Sequence, residues 1–494
     1  MKKFLSLLLV LSLMLAGCGT APVETTVPEI LSNPDVTAIA LEGDTVYIPE
    51  GCGAYTDHDI VYYEAGHDFT YGEGLSADEH TPEEADAHTV IHITRPGTYR
   101  ISGTMPAGQI AVDLGEDAKK DPEAVVTLIL DGVDMMCTVA PAIIFYNVYE
   151  CGNDDPETAG ANVVIADGSA NTLNGSYVAK IYKPDSVELN EAGTEVENAK
   201  KLHKYDAALY SRMSMTISGG EIGDGKLTIN GENEGLGTEM HLTVNGGNIT
   251  INSGNDGINT NADGESVITI NGGHLTVNVL GTTGEGDGID SNGWLVINGG
   301  IVEAYAHGFS ADGGVDADMG IALNGGTLIA SGQMLDRISE GNATYAVFRF
   351  NGTLPGGTAL TLKNEMGNAV MECAPVNDFS VLVLSSEALA SGTYTLWQGD
   401  TRLEVAGRTL VGQMPTGPLG PGGQAGTNPP EGLPGKFDGE PPQGDYQIPP
   451  QPGQDLQVQG GRPGTFPGNT GKGEPEFEIQ QGGNQFDVYM PTTK

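Results

Sequence analysis

Positive charge is scarce in this chain of 494 residues. It has 22 Lys and Arg against 66 Asp and Glu, which gives a formal net charge of −44 at pH 7. Between Met213 and Asp336 there is no Arg, and Lys226 is the one Lys. Nucleic acid and anionic membranes are poor partners for so acidic a chain, because they also carry negative charge. An anionic polymer would need a cation to mediate its binding.

Cysteine is also sparse. After Cys18 the chain has only Cys52, Cys137, Cys151 and Cys373, and it has no CxxC motif, so we do not expect a zinc site. Four cysteines allow three disulfide pairings, and their spacing selects none of them.

Long apolar runs are absent except at the N-terminus, MKKFLSLLLVLSLMLAGCGT. Lys2 and Lys3 precede an apolar run that is too short to span a bilayer, as in a secretory signal. The run closes with Leu15-Ala16-Gly17-Cys18, which matches the bacterial lipoprotein box. We therefore expect residues 1–18 to be a lipoprotein signal peptide with its lipobox, and Cys18 to carry the lipid. The protein would be exported and anchored to the cell membrane on its extracellular side, with the lipid as its only membrane attachment. An ordinary signal peptide that contains a cysteine is the alternative.

The centre of the chain repeats. A pair of glycines recurs at steps of 27, 26, 27 and 26 residues, in Ser218-Gly219-Gly220, Asn245-Gly246-Gly247, Asn271-Gly272-Gly273, Asn298-Gly299-Gly300 and Asn324-Gly325-Gly326. A fixed period of this length indicates an array of stacked supersecondary units.

Apolar and polar residues alternate on both sides of each glycine pair, as in LTVNGGNITI. Leu242 and Val244 should point inward with Thr243 outward, and Ile249 and Ile251 should point inward after the bend. Two strands joined by an Asn-Gly-Gly bend are typical of one coil of a parallel β-helix. A propeller blade is the alternative, but it needs four strands and a longer repeat. The expected fold class is all-β: a parallel β-helix with a small C-terminal β region and a disordered tail.

Composition sets the expected boundaries. The Gly-, Pro- and Gln-rich C-terminal segment has too few apolar residues to offset its ordering entropy, so we expect disorder there. The charged excursion at 183–204 is expected to be a surface loop. The predicted segments are a tether at 19–40, a β-helix at 41–340 with regular coils at 206–332, a C-terminal β cap or small β-domain at 341–411, and the tail at 412–494.

Carboxylates recur at fixed positions around one glycine of each coil. With Gly288 of Asp287-Gly288-Ile289-Asp290 as the mark, its equivalents are Gly235, Gly257 and Gly314. Equivalent positions of stacked coils lie about 4.8 Å apart, so the flanking side chains become columns of oxygen atoms. The predicted metal ligands in these columns are Asp256, Asn259, Asn261, Asp287, Asp290, Asn292, Asp316 and Asp318.

The charge repulsion within a column of carboxylates must be relieved by protons or by a cation. Two neighbouring charges repel by about 1 kcal/mol in water and by several times more in a shielded groove. Calcium accepts six to eight oxygens from Asp, Asn and backbone carbonyls, which is the set offered here. Calcium is therefore the predicted cofactor, and a hydrogen-bonded Asn/Asp ladder on a solvated turn is the alternative.

The export signal, TYRISGT, LILDGV, the NGG repeats and the DGID corner together resemble a family of secreted bacterial carbohydrate-binding proteins. The resemblance covers roughly residues 90–332. It implies a right-handed parallel β-helix that carries calcium and binds polygalacturonate or a related acidic plant polysaccharide. Gly237 and Gly313 depart from it, because they stand where an acid or amide ligand is expected.

Parallel β-helices also include pectate lyases and polygalacturonases, so catalysis must be weighed. A lyase of that type needs a basic residue, usually Arg or Lys, and this corner of the sequence has no cationic side chain. His307, which lies near the aspartate corner, is the one histidine kept as a candidate base. We therefore expect a monomeric binding protein and not an enzyme, with acidic polysaccharide as its partner. A pectate lyase-like or polygalacturonase-like enzyme and a structural adhesin or wall-associated spacer are the alternatives. The predicted carbohydrate-binding residues are Trp294, Tyr305 and His307.

Overall fold

The structure is a computed structural model that describes residues 36–152, 158–281, 284–407 and 474–490. Strands dominate, as predicted. One short α-helix, Pro82–Asp86, begins where the Thr81 side chain accepts a hydrogen bond from the Glu84 N–H. Two 3-10 turns, Glu116–Lys120 and Pro184–Ser186, also occur. No helix in these ranges has the length and hydrophobicity of a membrane span.

The strands fall into three groups along the chain. Those before the regular repeat are β1 (Val36–Glu42), β2 (Thr45–Tyr47), β3 (Ala54–Asp57), β4 (Thr89–Ile93), β5 (Gly97–Met105), β6 (Gly108–Asp113), β7 (Val126–Met136), β8 (Ile143–Asn147), β9 (Ala161–Ile165), β10 (Ala170–Gly175), β11 (Glu188–Leu189) and β12 (Val196–Asn198). The repeat comprises β13 (Ala207–Ser211), β14 (Met215–Gly219), β15 (Lys226–Gly231), β16 (Glu234–Thr238), β17 (Leu242–Val244), β18 (Asn248–Ser253), β19 (Ile258–Thr260), β20 (Val267–Ile270), β21 (His274–Val279), β22 (Ile289–Ser291), β23 (Trp294–Ile297), β24 (Ile301–Tyr305), β25 (Gly320–Leu323), β26 (Thr327–Gly332) and β27 (Ile338–Glu340). The C-terminal strands are β28 (Tyr345–Leu354), β29 (Leu360–Asn364), β30 (Ala369–Cys373), β31 (Phe379–Ser385), β32 (Gly392–Gln398), β33 (Thr401–Arg402), β34 (Glu404–Gly407), β35 (Phe477–Ile479) and β36 (Gly483–Tyr489).

Within the repeat, strands of successive coils pair in parallel and form three columns. The first column stacks β13, β16, β19 and β22. The second stacks β14, β17, β20, β23 and β25, and the third stacks β15, β18, β21, β24 and β26. Antiparallel pairs flank these ladders, at β1–β2 near the N-terminus and at β26–β31 after the repeat, so the sheets as a whole are mixed.

The register of the third column follows the sequence period. Ile249 pairs with Leu275, Leu275 with Val302, and Val302 with Leu328. All four side chains are at most 1% exposed, and Leu242, Val244 and Ile251 are equally buried, as the alternation predicted. Burial of such a side chain contributes about 1.5–3 kcal/mol relative to exposure, so the stacked aliphatic rows form the core of the repeat.

The Asn-Gly-Gly bends stack as well. The ladder runs along Asn245, Asn271, Asn298 and Asn324. Each asparagine after the first donates its Nδ2–H to the Oδ1 of the asparagine one coil earlier, at 2.8, 2.9 and 2.8 Å. The second glycine of the bend is obligatory. At Gly273 φ is +87°, and a Cβ there would lie 2.6 Å from the carbonyl oxygen of Gly247.

The C-terminal strands cover the end of the third column. β31 pairs antiparallel with both β26 and β28, and β36 adds to β28 in parallel. A second apolar core lies under these strands and includes Phe348, Phe379 and Phe486. The cover matters because an open sheet edge would present unpaired N–H and C=O groups.

Two predicted boundaries are wrong. The tether was predicted to extend to residue 40, but β1 begins at Val36 and pairs in parallel with β5. The tail was predicted to be disordered to its end, but β35 and β36 lie within it and bury Phe477, Ile479 and Val488. The alternation of FEI and FDV explains this, because it gives each short strand one apolar face.

Other predictions for the chain ends stay open. The signal peptide, Cys18 and residues 408–473 lie outside the described residues. Cys52, Cys137, Cys151 and Cys373 are all free thiols, and Cys137 and Cys151 are buried.

Candidate metal and glycan site

The carboxylates line up at the start of the first column. The pairing of β16 with β19, of β19 with β22, and the bridge from Ile289 to Val315 put the four mark glycines in one register. The backbone links the row, because the N–H of Asp287 donates to Asp256 Oδ1 at 2.7 Å. The Gly313 N–H donates to Asp287 Oδ1 at 2.6 Å. Each of these carboxylates is thus held by the coil that follows it.

We call this line of side chains, from Glu234 to Asp316, the acid row, and it is built from diagonal pairs. In each pair, one side chain belongs to the residue just before the mark glycine of its coil. The other belongs to the residue two positions after the mark glycine of the next coil. In the first pair, Asn259 Nδ2 donates to Glu234 Oε1 at 2.9 Å. The next two pairs are Asp256 with Asp290 and Asp287 with Asp316. In addition to burial, repulsion from Asp256 raises the pKa of Asp290, and repulsion from Asp316 raises the pKa of Asp287.

Three of these carboxylates form a compact cluster. One oxygen from each of Asp287, Asp290 and Asp316 can be chosen so that all lie within 4.8 Å of one another, and all three side chains are partly buried. Oxygen ligands at this spacing suit a hard divalent cation. We call these three residues the Asp287 cluster.

Burial and mutual repulsion strongly raise the pKa values of the three carboxyl groups in the cluster. Burial, together with repulsion from Asp316, raises the pKa of Asp287 to about 9. Burial, with repulsion from Asp256, raises the pKa of Asp290 to about 8. Burial and the neighbouring Asp336 raise the pKa of Asp316 to about 7. Both ways to relieve this repulsion, protons or a cation, are therefore open to the cluster near neutral pH.

The predicted amide ligands Asn261 and Asn292 make hydrogen bonds to other side chains and to the backbone. Asn261 Oδ1 accepts a hydrogen bond from the Lys204 ammonium. Asn292 donates from Nδ2 to Asp263 Oδ1 at 2.8 Å and to the Asn261 carbonyl at 3.1 Å. Asp318, in the same column, has its pKa raised by burial and by Asp263. This column is tied together by hydrogen bonds and is not part of the compact cluster.

Lys204 corrects the sequence analysis, which expected no cationic side chain at this corner. It lies at the end of the 183–204 excursion, outside the regular period, so the spacing of the repeats could not place it. Its charge lowers the pKa values of Glu234, Asp256 and Asp290 against the larger opposing effect of burial. An ammonium group therefore lies among the carboxylates of the row.

Gly237 departs from the acid pattern for a steric reason. A Cβ at this position would lie 3.1 Å from the Tyr210 ring and 3.3 Å from Glu234 Oε2. Tyr210 occupies the same register position one coil earlier, and its hydroxyl donates to Glu239. Tyr210 fills the space that an acid side chain would need.

Residues 87–347, more than half of the chain, match the family described as "Carbohydrate-binding domain-containing protein". The chain belongs to this carbohydrate-binding family. A protein of Acetivibrio thermocellus with the same description is 33% identical over 161 residues, which make up 32% of this chain and 44% of that protein. The chain therefore matches less than half the length of this relative.

A solved structure is also similar, that of a "polysaccharide lyase-like protein from C. thermocellum" in a gadolinium derivative. It is 23% identical, with a TM-score of 0.34, and the match covers 62% of this chain and 98% of that one. A TM-score of this size does not establish a shared fold.

The predicted sugar-stacking residues of the carbohydrate-binding domain lie in different environments. Trp294 is partly exposed at the start of β23. Tyr305 and His307 are each only 5% exposed, which argues against their stacking on a sugar ring. His307 Nε2 lies 2.9 Å from the Gly281 carbonyl, and its Nδ1 accepts from the Phe309 N–H. Both imidazole nitrogens are thus occupied, which also weakens His307 as a catalytic base. Phe309, beside His307, is 84% exposed, more than any of the three predicted residues.

Proposed function

We propose that this protein is an exported, lipid-anchored lipoprotein that binds acidic polysaccharide, such as polygalacturonate, through calcium held by the Asp287 cluster. The observation that carries the proposal is the approach of three carboxylate oxygens to within 4.8 Å of one another. Membership in a carbohydrate-binding family supports glycan as the ligand class. The chain's net charge of −44 makes a bridging cation necessary for an acidic glycan.

The residues present fit calcium. Asp287, Asp290 and Asp316 supply carboxylate oxygens, and calcium requires six to eight ligands in a flexible arrangement. Calcium bound there would neutralise the cluster and leave coordination positions for a uronate carboxylate. The protein would then act by holding the acids in register on the stacked coils, with partly exposed Trp294 as a further sugar contact.

The proposed scaffold is a right-handed parallel β-helix. It is supported by the parallel pairing of successive coils and by register steps of 26 and 27 residues in the second and third columns. Export and lipidation at Cys18 rest on the lipobox, and the monomeric state is part of the same proposal.

Retention of the chain from Gly19 on immobilised polygalacturonate, with calcium and with EDTA, tests the proposal. Asp287→Asn removes one ligand charge and should reduce calcium-dependent retention at least tenfold. Asp134→Asn is the matched control, because Asp134 is exposed on β7 in another column and should leave retention unchanged. Equal retention in EDTA would contradict the calcium bridge. Thermal stabilisation by calcium without any retention would favour the structural spacer.

A polysaccharide lyase is the second candidate, and one observation favours it. Lys204 brings an amine to the acid row, where a lyase would need a base to remove the proton beside the uronate carboxylate. Absorbance in the unsaturated-uronate band, followed in the same tubes, distinguishes the two functions. New double bonds that vanish in Lys204→Gln would establish the lyase, and unchanged absorbance with retention would support the binding protein.

A further inference from the structure

The two ends of the acid row differ in their surroundings. Lys204 precedes β13, yet its ammonium donates to Asn261, which follows β19 two coils later. The side chain therefore lies along the first half of the row. Its charge lowers the pKa values of five acids, Asp206, Glu234, Glu239, Asp256 and Asp290, against the opposing effect of burial. Around Asp287 and Asp316 the charged groups that act most strongly are other aspartates.

The Glu234 end offers oxygen ligands too, one from a carboxylate and one from an amide. Glu234 and Asn259 are 5% and 8% exposed, and Glu234 Oε2 and Asn259 Oδ1 have no hydrogen-bond partner within the described residues. Two buried acceptors without a donor are costly, because each has lost its hydration. Two things would relieve this cost, a cation between the two oxygens or a proton on Glu234, whose pKa burial raises.

Register relates the two ends. Glu234 with Asn259 is the same diagonal pair, two coils earlier, as Asp287 with Asp316. Asp206, 8% exposed, adds a further carboxylate whose repulsion acts on Glu234. The Glu234 end therefore repeats one diagonal pair of the Asp287 cluster, with an amide where Asp316 stands and Gly237 where Asp290 stands. The Lys204 ammonium is the cation that lies along this end.

We propose that the Lys204 ammonium takes the place of a divalent cation at the Glu234 end of the acid row. Lys204 thereby confines divalent cations to the Asp287 end, a statement that rests on the proposed function. The physical reason is that an ammonium fixed among these acids repels an incoming dication and offsets part of their charge. At the Asp287 end the Lys204 charge acts on Asp290, while the charges that act on Asp287 and Asp316 are those of other aspartates, so more of the attraction for the metal remains there.

Calcium titration of the full-length, EDTA-treated chain by isothermal calorimetry tests this assignment. Wild type should bind one equivalent tightly, and Lys204→Gln should gain a second equivalent with at least tenfold higher affinity than wild type shows for it. Lys204→Arg keeps the charge and should behave as wild type. Lys226→Gln is the matched control, because Lys226 is exposed on β15 in the third column and lies outside the row. Glu234→Gln added to Lys204→Gln should remove the gained equivalent.

The outcomes separate this inference from the proposed function. No binding by wild type with binding by Lys204→Gln would reject calcium at the Asp287 cluster while supporting the role of Lys204. One equivalent of equal affinity in wild type and Lys204→Gln would overturn the role of Lys204 alone. A gained equivalent that survives Glu234→Gln would also overturn it. Circular dichroism of each variant confirms that it is folded before titration.

Discussion

Calcium binding to the Asp287 cluster should release protons, because burial and repulsion keep its carboxylates protonated near neutral pH. With pKa values of about 9, 8 and 7, Asp287 is almost fully protonated at pH 7, Asp290 mostly so, and Asp316 about half. A carboxylate must lose its proton to coordinate calcium. If all three coordinate the metal, binding at pH 7 should release roughly two protons per calcium.

The release of protons fixes the pH dependence of affinity. With about two protons released, the apparent calcium affinity should rise about a hundredfold for each pH unit around pH 7. The rise should level off above about pH 9, where the last of the three carboxylates is ionised. An ordinary exposed calcium site, with carboxylates of pKa near 4, would show almost no dependence in this range.

The number of protons can be measured directly by calorimetric titration with calcium at pH 7 in buffers of different ionisation enthalpy. The slope of the observed enthalpy against the buffer enthalpy gives the protons released. Asp287→Asn should lower that number by about one, and Asp134→Asn should leave it unchanged. A slope below half a proton, with affinity independent of pH from 6 to 9, would refute the derivation.

The stability of the calcium-free protein should change with pH in the opposite direction to the calcium affinity. In the unfolded chain these aspartates have pKa values near 3.9, so between about pH 4 and pH 9 the folded state binds more protons than the unfolded state. The free energy of unfolding without calcium should therefore fall as pH rises through this window. Saturating calcium should remove most of that fall, which urea titrations at pH 5, 7 and 9 would measure.

Three further predictions concern the scaffold and can be checked by urea denaturation. Gly273→Ala should lose at least 2 kcal/mol more stability than Gly264→Ala, since both have positive φ, but a Cβ meets backbone only at Gly273. Equal losses would show that the close approach is relieved by a backbone shift. Asn271→Ala removes two hydrogen bonds of the bend ladder and Asn324→Ala removes one, so the first should cost about 1 kcal/mol more. Leu295→Ala in the fully buried aliphatic row should cost about 2–5 kcal/mol, and a loss below 1 kcal/mol would contradict its place in the core.

Periodicity made much of the repeat predictable. The spacing of the Asn-Gly-Gly bends predicted the step between coils, and the alternation around them predicted which aliphatic side chains face the core. The alternation also had a limit. Thr243 was expected to face outward, but it is 1% exposed, because burial depends on what else packs against the strand and not on its pleat alone. Closure of the coils into a β-helix stays a prediction.

Contacts from outside the period could not be predicted in this way. Lys204 reaches the acid row from an irregular excursion, and β36 joins β28 after more than a hundred intervening residues. Neither contact has a repeated counterpart to indicate its partner. The period predicted the register of the row, but the Lys204 ammonium reaches it from outside the repeat.

Stacking explains why such a row exists and why its ends differ. In parallel coils a side chain has its register equivalents directly above and below it, so any acid retained in the repeat faces other acids. The repulsion must be relieved at each step, by a proton, an amide, an ammonium or a metal. This chain uses an amide at Asn259, an ammonium at Lys204, and three carboxylates with raised pKa values at Asp287, Asp290 and Asp316. The last set brings three carboxylates within 4.8 Å of one another, and the hydrogen bonds to Asp287 and Asp316 come from backbone N–H groups. A cation, and through it an acidic glycan, is therefore expected to bind there in preference to the rest of the row.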